Sequence, residues 1–171
     1  MICFFTFNVV HWYMKKEMQM LQVENFTYFY PEKPVLISKD QPLFETLSAH
    51  KDWIAERKYN GTRLQLHKIG NEFRFYGRHY DVLSYKPTPE MLDALNALNL
   101  PSGYCLFDGE LRHNKTIGVK HKIMLYDIYV WDSELQSHLK FRDRRQNLLN
   151  IVTINEEPIG CPFEYPERFE D

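Results

Sequence analysis

The stretch "AERKYNGTRLQLHK", Ala55 to Lys68, decides how the rest of the chain is read. Asn60-Gly61 is a turn pair between alternating polar and apolar residues, a pattern that predicts a β-hairpin with a two-residue turn. The predicted register sets Tyr59 opposite Thr62, Lys58 opposite Arg63, Arg57 opposite Leu64 and Glu56 opposite Gln65. One face then carries Glu56, Lys58, Arg63 and Gln65, and the other Ala55, Tyr59, Leu64 and Leu66. Directly opposed like charges destabilise a sheet, so the Lys58–Arg63 pair needs a reason. On a solvated face the two side chains splay into water. In a cleft, two cations held together ask for an anion such as a phosphate chain, and a lysine amine that has lost its proton is a nucleophile.

The whole chain sets the frame for that choice. Its 171 residues are enough for one domain with a real core, and 44% hydrophobic and 26% charged residues are ordinary globular values. A net charge of −2 excludes a protein coated in basic residues for indiscriminate nucleic-acid binding. The charge is unevenly spread, however. Between Glu56 and Lys86 seven lysines and arginines stand against three acids, and Arg112, Lys115, Lys120 and Lys122 follow with no acid among them. From Glu156 to Asp171 six acids face Arg168 alone. A basic middle invites an anionic partner. Cys3, Cys105 and Cys161 have neither metal-type nor disulfide-framework spacing, which implies a reducing, intracellular compartment. The apolar run "MICFFTFNVVHWYM" is short for a membrane span, and its lysines follow it rather than precede it as in a signal peptide. We read residues 1–30 as an N-terminal extension or peripheral element with no membrane role.

Further along, "LFETLSAH" predicts a short helix from about Asp40, with Leu43, Phe44 and Leu47 on one face. "EFRFYGRHYDVLSY" predicts a strand with Phe73 and Phe75 on one side and Arg74, Tyr76 and Arg78 on the other. "TPEMLDALNALNL" is the clearest helix, with Thr88 as N-cap, Pro89 in the first turn and Met91, Leu92, Leu95 and Leu98 as an apolar stripe. "YCLFDGELRHNK" and "HKIMLYDIYVWD" read as strands, the second buried on both faces. "ELQSHLKFRDRRQNLLNIV" predicts a helix with a charged outer face, and the Pro-rich acidic tail reads as loop. The fold class is α+β, with largely antiparallel sheets and inserted helices.

There is no Gly-x-Ser-x-Gly elbow, no Walker-type loop and no His-Glu-x-x-His helix, and the seven histidines stand singly. The chemistry-bearing residues lie elsewhere. "FDGELR" puts Asp108 and Glu110 on one strand face around Gly109, where a backbone can approach a ligand. Two such carboxylates suit a ribose hydroxyl or a metal ion, although a turn residue and a solvated Glu would look the same. Asp127 interrupts an apolar strand and demands a partner, and Tyr126 beside it is either core or a platform for a flat base.

Taken in order, "ERKYNGTR", "GRHYD", "FDGELR", "LYDIYVWD" and "FRDRR" resemble the motifs of the covalent nucleotidyltransferase superfamily: ATP-dependent DNA ligases, RNA ligases and mRNA capping enzymes. The resemblance runs from about Pro31 to Ile151 and is most like the N-terminal part of a DNA ligase adenylation domain, an ATP-grasp-like fold. Residues 31–171 are then a partial adenylation domain. The resemblance implies that Lys58 is the catalytic nucleophile that attacks the α-phosphate of ATP. It implies nucleotide contacts by Glu56 at the adenine, Arg63 at ribose and phosphates, Arg78 at ribose or phosphate, Glu110 at the ribose, and Tyr126 on the base. Mg²⁺ is the implied cofactor, with Glu110 as its protein ligand, and nicked or broken DNA the implied partner. An RNA ligase, a GTP-using capping guanylyltransferase, or a non-catalytic nucleotide-binding remnant are the alternatives. Asn60 stands where the family has Asp, and the family's later lysine-bearing strands are not found between Arg145 and Asp171.

Overall fold

The computed structural model of the chain describes residues 2–5, 21–23, 26–28, 42, 54–79, 81–153, 163–164 and 168–169, with side chains at 42 and over 58–79 and 81–151. Its strands, in chain order, are β1 (Ile2–Phe5), β2 (Leu21–Val23), β3 (Phe26–Tyr28), β4 (Ile54–Arg57), β5 (Thr62–Ile69), β6 (Glu72–Tyr76), β7 (Cys105–Arg112), β8 (Lys122–Trp131), β9 (Glu134–Leu135), β10 (Phe163–Glu164) and β11 (Arg168–Phe169). Two helices are described, α1 (Pro89–Ala97) and α2 (Phe141–Thr153). The chain divides into two compact units, Met1–Lys58 with Glu167–Asp171, and Tyr59–Pro166. In the first, β4 lies between β1 and β11, antiparallel to both, and β2 pairs with β3. The second holds a sheet in the order β10-β8-β7-β5-β6, with β9 added to β8. Its pairs are antiparallel except β10 with β8. This is the α+β architecture that the sequence predicts.

The expected hairpin at Asn60-Gly61 does not form. Neither residue has the positive φ that its turn requires; positive values occur instead at Gly70, Gly118, His121, Asp132 and Ser133. β4 pairs within the first unit and β5 within the second, so Lys58 does not oppose Arg63. Arg63 faces Glu110, and Gln65 faces Asp108. The apolar pattern explains this choice. Pairing β5 with β7 sets Leu64 and Leu66 opposite Gly109 and Phe107 over a long ladder, which a four-residue β4 could not match. The two-residue hairpin turn is Gly70-Asn71, joining β5 to β6 with Ile69 opposite Glu72. Gly70 has φ 54° while Asn71 stays negative, the pattern of a type II′ turn. Asp132-Ser133, both left-handed, make the corresponding tight turn between β8 and β9.

One face of the larger sheet buries Leu64, Leu66, Phe75, Phe107, Leu111, Ile123, Leu125 and Ile128. Met91 and Leu95 of α1 and Leu148 and Ile151 of α2 complete this core. α1 begins as predicted, with Thr88 Oγ1 accepting from the Met91 N–H at 3.3 Å and Pro89 in the first turn. Leu92 is exposed rather than part of the stripe, because it lies about 100° around the axis from Met91 while Leu95 lies directly above it. α2 begins at Phe141, later than predicted; Glu134–Leu135 is strand and Gln136–His138 a 3₁₀ turn. Within the predicted loop of the tail, Phe163–Glu164 and Arg168–Phe169 add short strands. The helix expected near "LFETLSAH" lies, except for Pro42, outside the described residues.

The expected charged outer face of α2 is also incomplete. Arg144 and Arg145 both point inward. Arg144 donates from Nε and Nη2 to the two oxygens of Asp127, at 2.8 and 2.7 Å, and from Nη1 to the Leu139 carbonyl at 2.8 Å. Asp127 thus has the partner that its place in an apolar strand demands. Removing one member of a buried pair strands the other charge, at a cost of roughly 3–5 kcal/mol. Arg144→Leu should lose stability of that order in urea denaturation, and Arg144→Leu with Asp127→Asn should recover most of it. Equal loss in both variants would mean that the helix packing, not the ion pair, carries the effect.

Candidate functional site

The opposite face of the larger sheet is polar and nonetheless mostly buried. From β5 come Arg63, Gln65 and His67; from β7, Asp108 and Glu110; from β6, Arg74 and Tyr76, set by the register Gln65–Tyr76, Gln65–Asp108 and Arg63–Glu110. β8 adds Asp127 opposite Asp108. The register between β7 and β8 shifts twice. Gly109 pairs with Leu125 and Asp108 with Asp127, leaving Tyr126 as an extra residue. Phe107 pairs with Ile128 and Leu106 with Val130, leaving Tyr129 extra. Bulges re-aim side chains, and both tyrosines turn to the carboxylates of β7. The Tyr126 hydroxyl donates to Glu110 Oε2 at 3.0 Å, and the Tyr129 hydroxyl hydrogen-bonds Asp108.

Gly109 is what the first bulge requires. A Cβ there would lie 2.3 Å from the Met124 carbonyl oxygen, so the backbone that approaches this glycine is that of β8. Arg145, almost fully buried, donates from Nη1 to the carbonyls of Leu125 and Tyr126 at 2.9 and 3.4 Å, satisfying groups that the bulge takes out of the ladder. The "FRDRR" motif therefore acts from behind, with one arginine holding Asp127 and the next holding the Tyr126 bulge.

Arg63 makes a two-pronged ion pair with Asp108, Nε to Oδ1 at 2.7 Å and Nη2 to Oδ2. Its guanidinium also lies 5.9 Å from the centre of the Tyr126 ring, within cation–π reach. Burial works against the Arg63 charge, but the Asp108 carboxylate outweighs it and holds the guanidinium above its ordinary value. Burial pushes Asp108 up to about 7, with Arg63 pulling it back and the facing Asp127 adding to the rise. His67, buried with Nδ1 2.9 Å from the Tyr104 hydroxyl and its ring edge-on to Tyr76, is pushed down to about 4 by burial and by Arg74.

Of the residues singled out in the sequence, Arg63, Glu110 and Tyr126 come together on this face. Arg78 sits in the exposed turn after β6, off the end of the ladder. Lys58 is exposed and is the last residue of the first unit. Glu56 lies in β4, opposite Cys3 and Arg168, with its side chain outside the described residues. Asp108, expected beside Glu110 as a possible ribose or metal ligand, is engaged by Arg63 instead. Tyr129 and Arg145 were not legible as site residues. Bulges leave no mark in an apolar run, and a basic helix residue ordinarily faces water.

Among the described residues, no group of three or more His, Cys, Asp and Glu could hold a metal ion. With Asp108 taken, Glu110 is the carboxylate on this face that is left for one. That fits Mg²⁺, which is commonly held by one or two carboxylates together with substrate phosphates.

The two shifted groups titrate in opposite senses. Asp108, raised from 3.8 to about 7, contributes stability that is whole below pH 3.8 and lost as pH rises through 7. His67, lowered from 6.5 to about 4, contributes stability that is present above pH 6.5 and lost as pH falls through 4. At about 1.4 kcal/mol per pH unit, the full Asp108 shift is worth about 4 kcal/mol and the full His67 shift about 3 kcal/mol. In His67→Asn the Asp108 trend is left unopposed, so stability from urea denaturation should fall more steeply between pH 4.5 and 7 than in the parent chain. An unchanged pH slope would refute the assignment.

Comparison with known proteins gives a consistent result. Residues 34–118 match the family described as ATP dependent DNA ligase domain. The chain is 26% identical over 148 residues to a DNA ligase of Methanosphaera stadtmanae, covering 73% of this chain and 26% of that ligase. It is 27% identical over 142 residues to DNA ligase 3 of Dictyostelium discoideum, covering 72% of this chain and 12% of that one. The chain thus spans about a quarter or less of the length of these relatives. Among solved structures, the ligase domain of M. tuberculosis LigD aligns with a TM-score of 0.51 at 16% identity, over 69% of this chain and 40% of that domain. A mycobacterial DNA ligase D complexed with ATP and MES aligns equally well. At this identity the likeness is one of fold.

Proposed function

Since the chain belongs to the covalent nucleotidyltransferase superfamily, with residues 34–118 matching an ATP dependent DNA ligase domain, we propose that it is the nucleotide-activating part of a polynucleotide ligase acting on DNA. The observation that carries this reading is the convergence of Arg63, Glu110 and Tyr126, drawn from three separate motifs, on one sheet face.

In this reading Lys58 Nζ attacks the α-phosphorus of ATP. A P–N bond forms, the P–O bond to pyrophosphate breaks, and the lysine nitrogen loses its proton to solvent, leaving a neutral N–H in a phosphoramidate whose phosphoryl oxygen stays negative. The AMP then passes to a 5′-phosphate end, and attack by a 3′-hydroxyl expels it as the strand is sealed. Little covalent chemistry falls to the protein beyond Lys58, so its contribution is positioning and charge stabilisation. Arg63 spends two donor sites on Asp108 and keeps others of its guanidinium for phosphate oxygens. Tyr126, oriented through its hydroxyl by Glu110, offers its ring to the base. Glu110 serves the ribose and is the residue that would hold Mg²⁺ beside the nucleotide's phosphates. When bound, that ion neutralises charge on the phosphates and the leaving pyrophosphate. Glu56 and Arg78 complete the proposed contacts, at the adenine and at the ribose or phosphate. The adenylation reading extends over residues 31–171.

The test is incubation with α-³²P-labelled ATP or GTP and Mg²⁺, followed by denaturing electrophoresis. Covalent label from ATP that vanishes in Lys58→Ala is the expected result. Label from GTP would transfer the chain to the capping class, and transfer to an RNA end in preference to DNA would make it an RNA ligase. A folded chain that takes no label would be a non-catalytic nucleotide-binding remnant.

A further inference from the structure

Three consecutive residues follow Lys58 before β5 begins, and each is held by β7 or by the loop that leaves it. The Tyr59 ring lies under the Arg112 guanidinium, 4.7 Å from ring centre to Cζ. Asn60 donates from Nδ2 to the Lys115 carbonyl at 2.9 Å, while its own carbonyl accepts from Thr116 Oγ1 at 2.9 Å. Gly61 sits so close to β7 that a Cβ would lie 2.6 Å from Glu110 Cγ and 2.7 Å from the Leu111 carbonyl oxygen. Asn60-Gly61, expected as a two-residue hairpin turn, and Tyr59 before it thus lie against the strand that carries Glu110 and the loop that follows it.

We propose that Tyr59-Asn60-Gly61 is a clamp that fixes the backbone beside Lys58 relative to Glu110, and that Asn60 and Thr116 are positioning residues for nucleotidyl transfer to Lys58. The proposal rests on the function proposed above. The chemistry of residue 60 is specific. Its link to the Lys115 carbonyl needs an N–H donor, which an amide has and an ionised carboxylate lacks. Aspartate at this position would set a negative oxygen against a carbonyl oxygen and open the clamp on that side. Thr116 holds the same residue from its backbone, so the two hydrogen bonds can be removed independently.

The clamp touches none of the groups assigned to the nucleotide except the Glu110 side chain behind Gly61. Its loss should therefore leave ATP binding nearly intact and slow the attack by Lys58, because misplacing a reacting group by about 1 Å can cost up to 100-fold in rate. Single-turnover adenylation should fall about tenfold in Asn60→Asp and in Thr116→Val, while the KM for ATP changes less than twofold. Thr116→Ser, which keeps the hydroxyl, should restore the rate lost in Thr116→Val. Hydrogen exchange of residues 59–62 and 114–120 should rise in Asn60→Asp and Thr116→Val alone. Slowing below twofold, a change confined to KM, or failure of Thr116→Ser to restore the rate would overturn the clamp while leaving the proposed function standing. A parent chain that takes no label at Lys58 overturns both, and unchanged exchange in the two variants would deny the clamp even a structural role.

Discussion

Asp108 and Asp127 face each other across β7 and β8, and the sheet holds together there because neither is left as a bare carboxylate. Each is claimed by an arginine from a different element, Arg63 on β5 and Arg144 on α2. Two facing carboxylates would otherwise repel in a setting where water cannot screen them. The answer is a row in which the two central carboxylates are flanked by arginines, Arg63–Asp108–Asp127–Arg144, and it ties three strands and a helix in fixed register. Buried ion pairs are weak sources of net stability, but they fix geometry strongly, because any shift strands a charge. Here the geometry fixed is that of Arg63, whose guanidinium reaches the open side of the sheet from a rigid base.

The same region departs from a regular ladder in a controlled way. Two bulges within one strand turn Tyr126 and Tyr129 toward the carboxylates, Gly109 makes room for the first, and Arg145 collects the carbonyls it frees. Each of these features would be a defect in isolation. Together they convert a strand otherwise apolar on both faces into one that presents a tyrosine beside Glu110. The neighbouring arginines of "FRDRR" support this from the helix side, so a motif far along the chain acts on the site without touching its open face.

Much of this was legible in the sequence. The strands of the larger sheet follow from alternation, α1 from its cap and stripe, and Arg63, Glu110 and Tyr126 from the order of motifs. The opening stretch misled because Asn-Gly is a strong local turn signal, and local signals yield when a longer ladder buries more. Leu64 and Leu66 find Phe107 and Gly109, whereas β4 belongs to another sheet. Gly70-Asn71 carries a turn signal of the same kind, and there the flanking strands do pair with each other. The inward course of Arg144 and Arg145 was hidden for a different reason. A helix of charged residues gives no sign of which charges a buried aspartate elsewhere will recruit.

The place of β5 between β7 and the edge strand β6 has a consequence for assembly. One neighbour, β6, follows directly through the Gly70-Asn71 turn, and such a hairpin closes in about 1–10 μs. The other, β7, is reached only after α1 and its flanking segments, so its pairing bears the larger entropy of loop closure. Arg63 is on the side of β5 that waits. Its counter-charge arrives with β7, so the guanidinium can stay hydrated through the early steps and is withdrawn from water only as Asp108 comes to meet it.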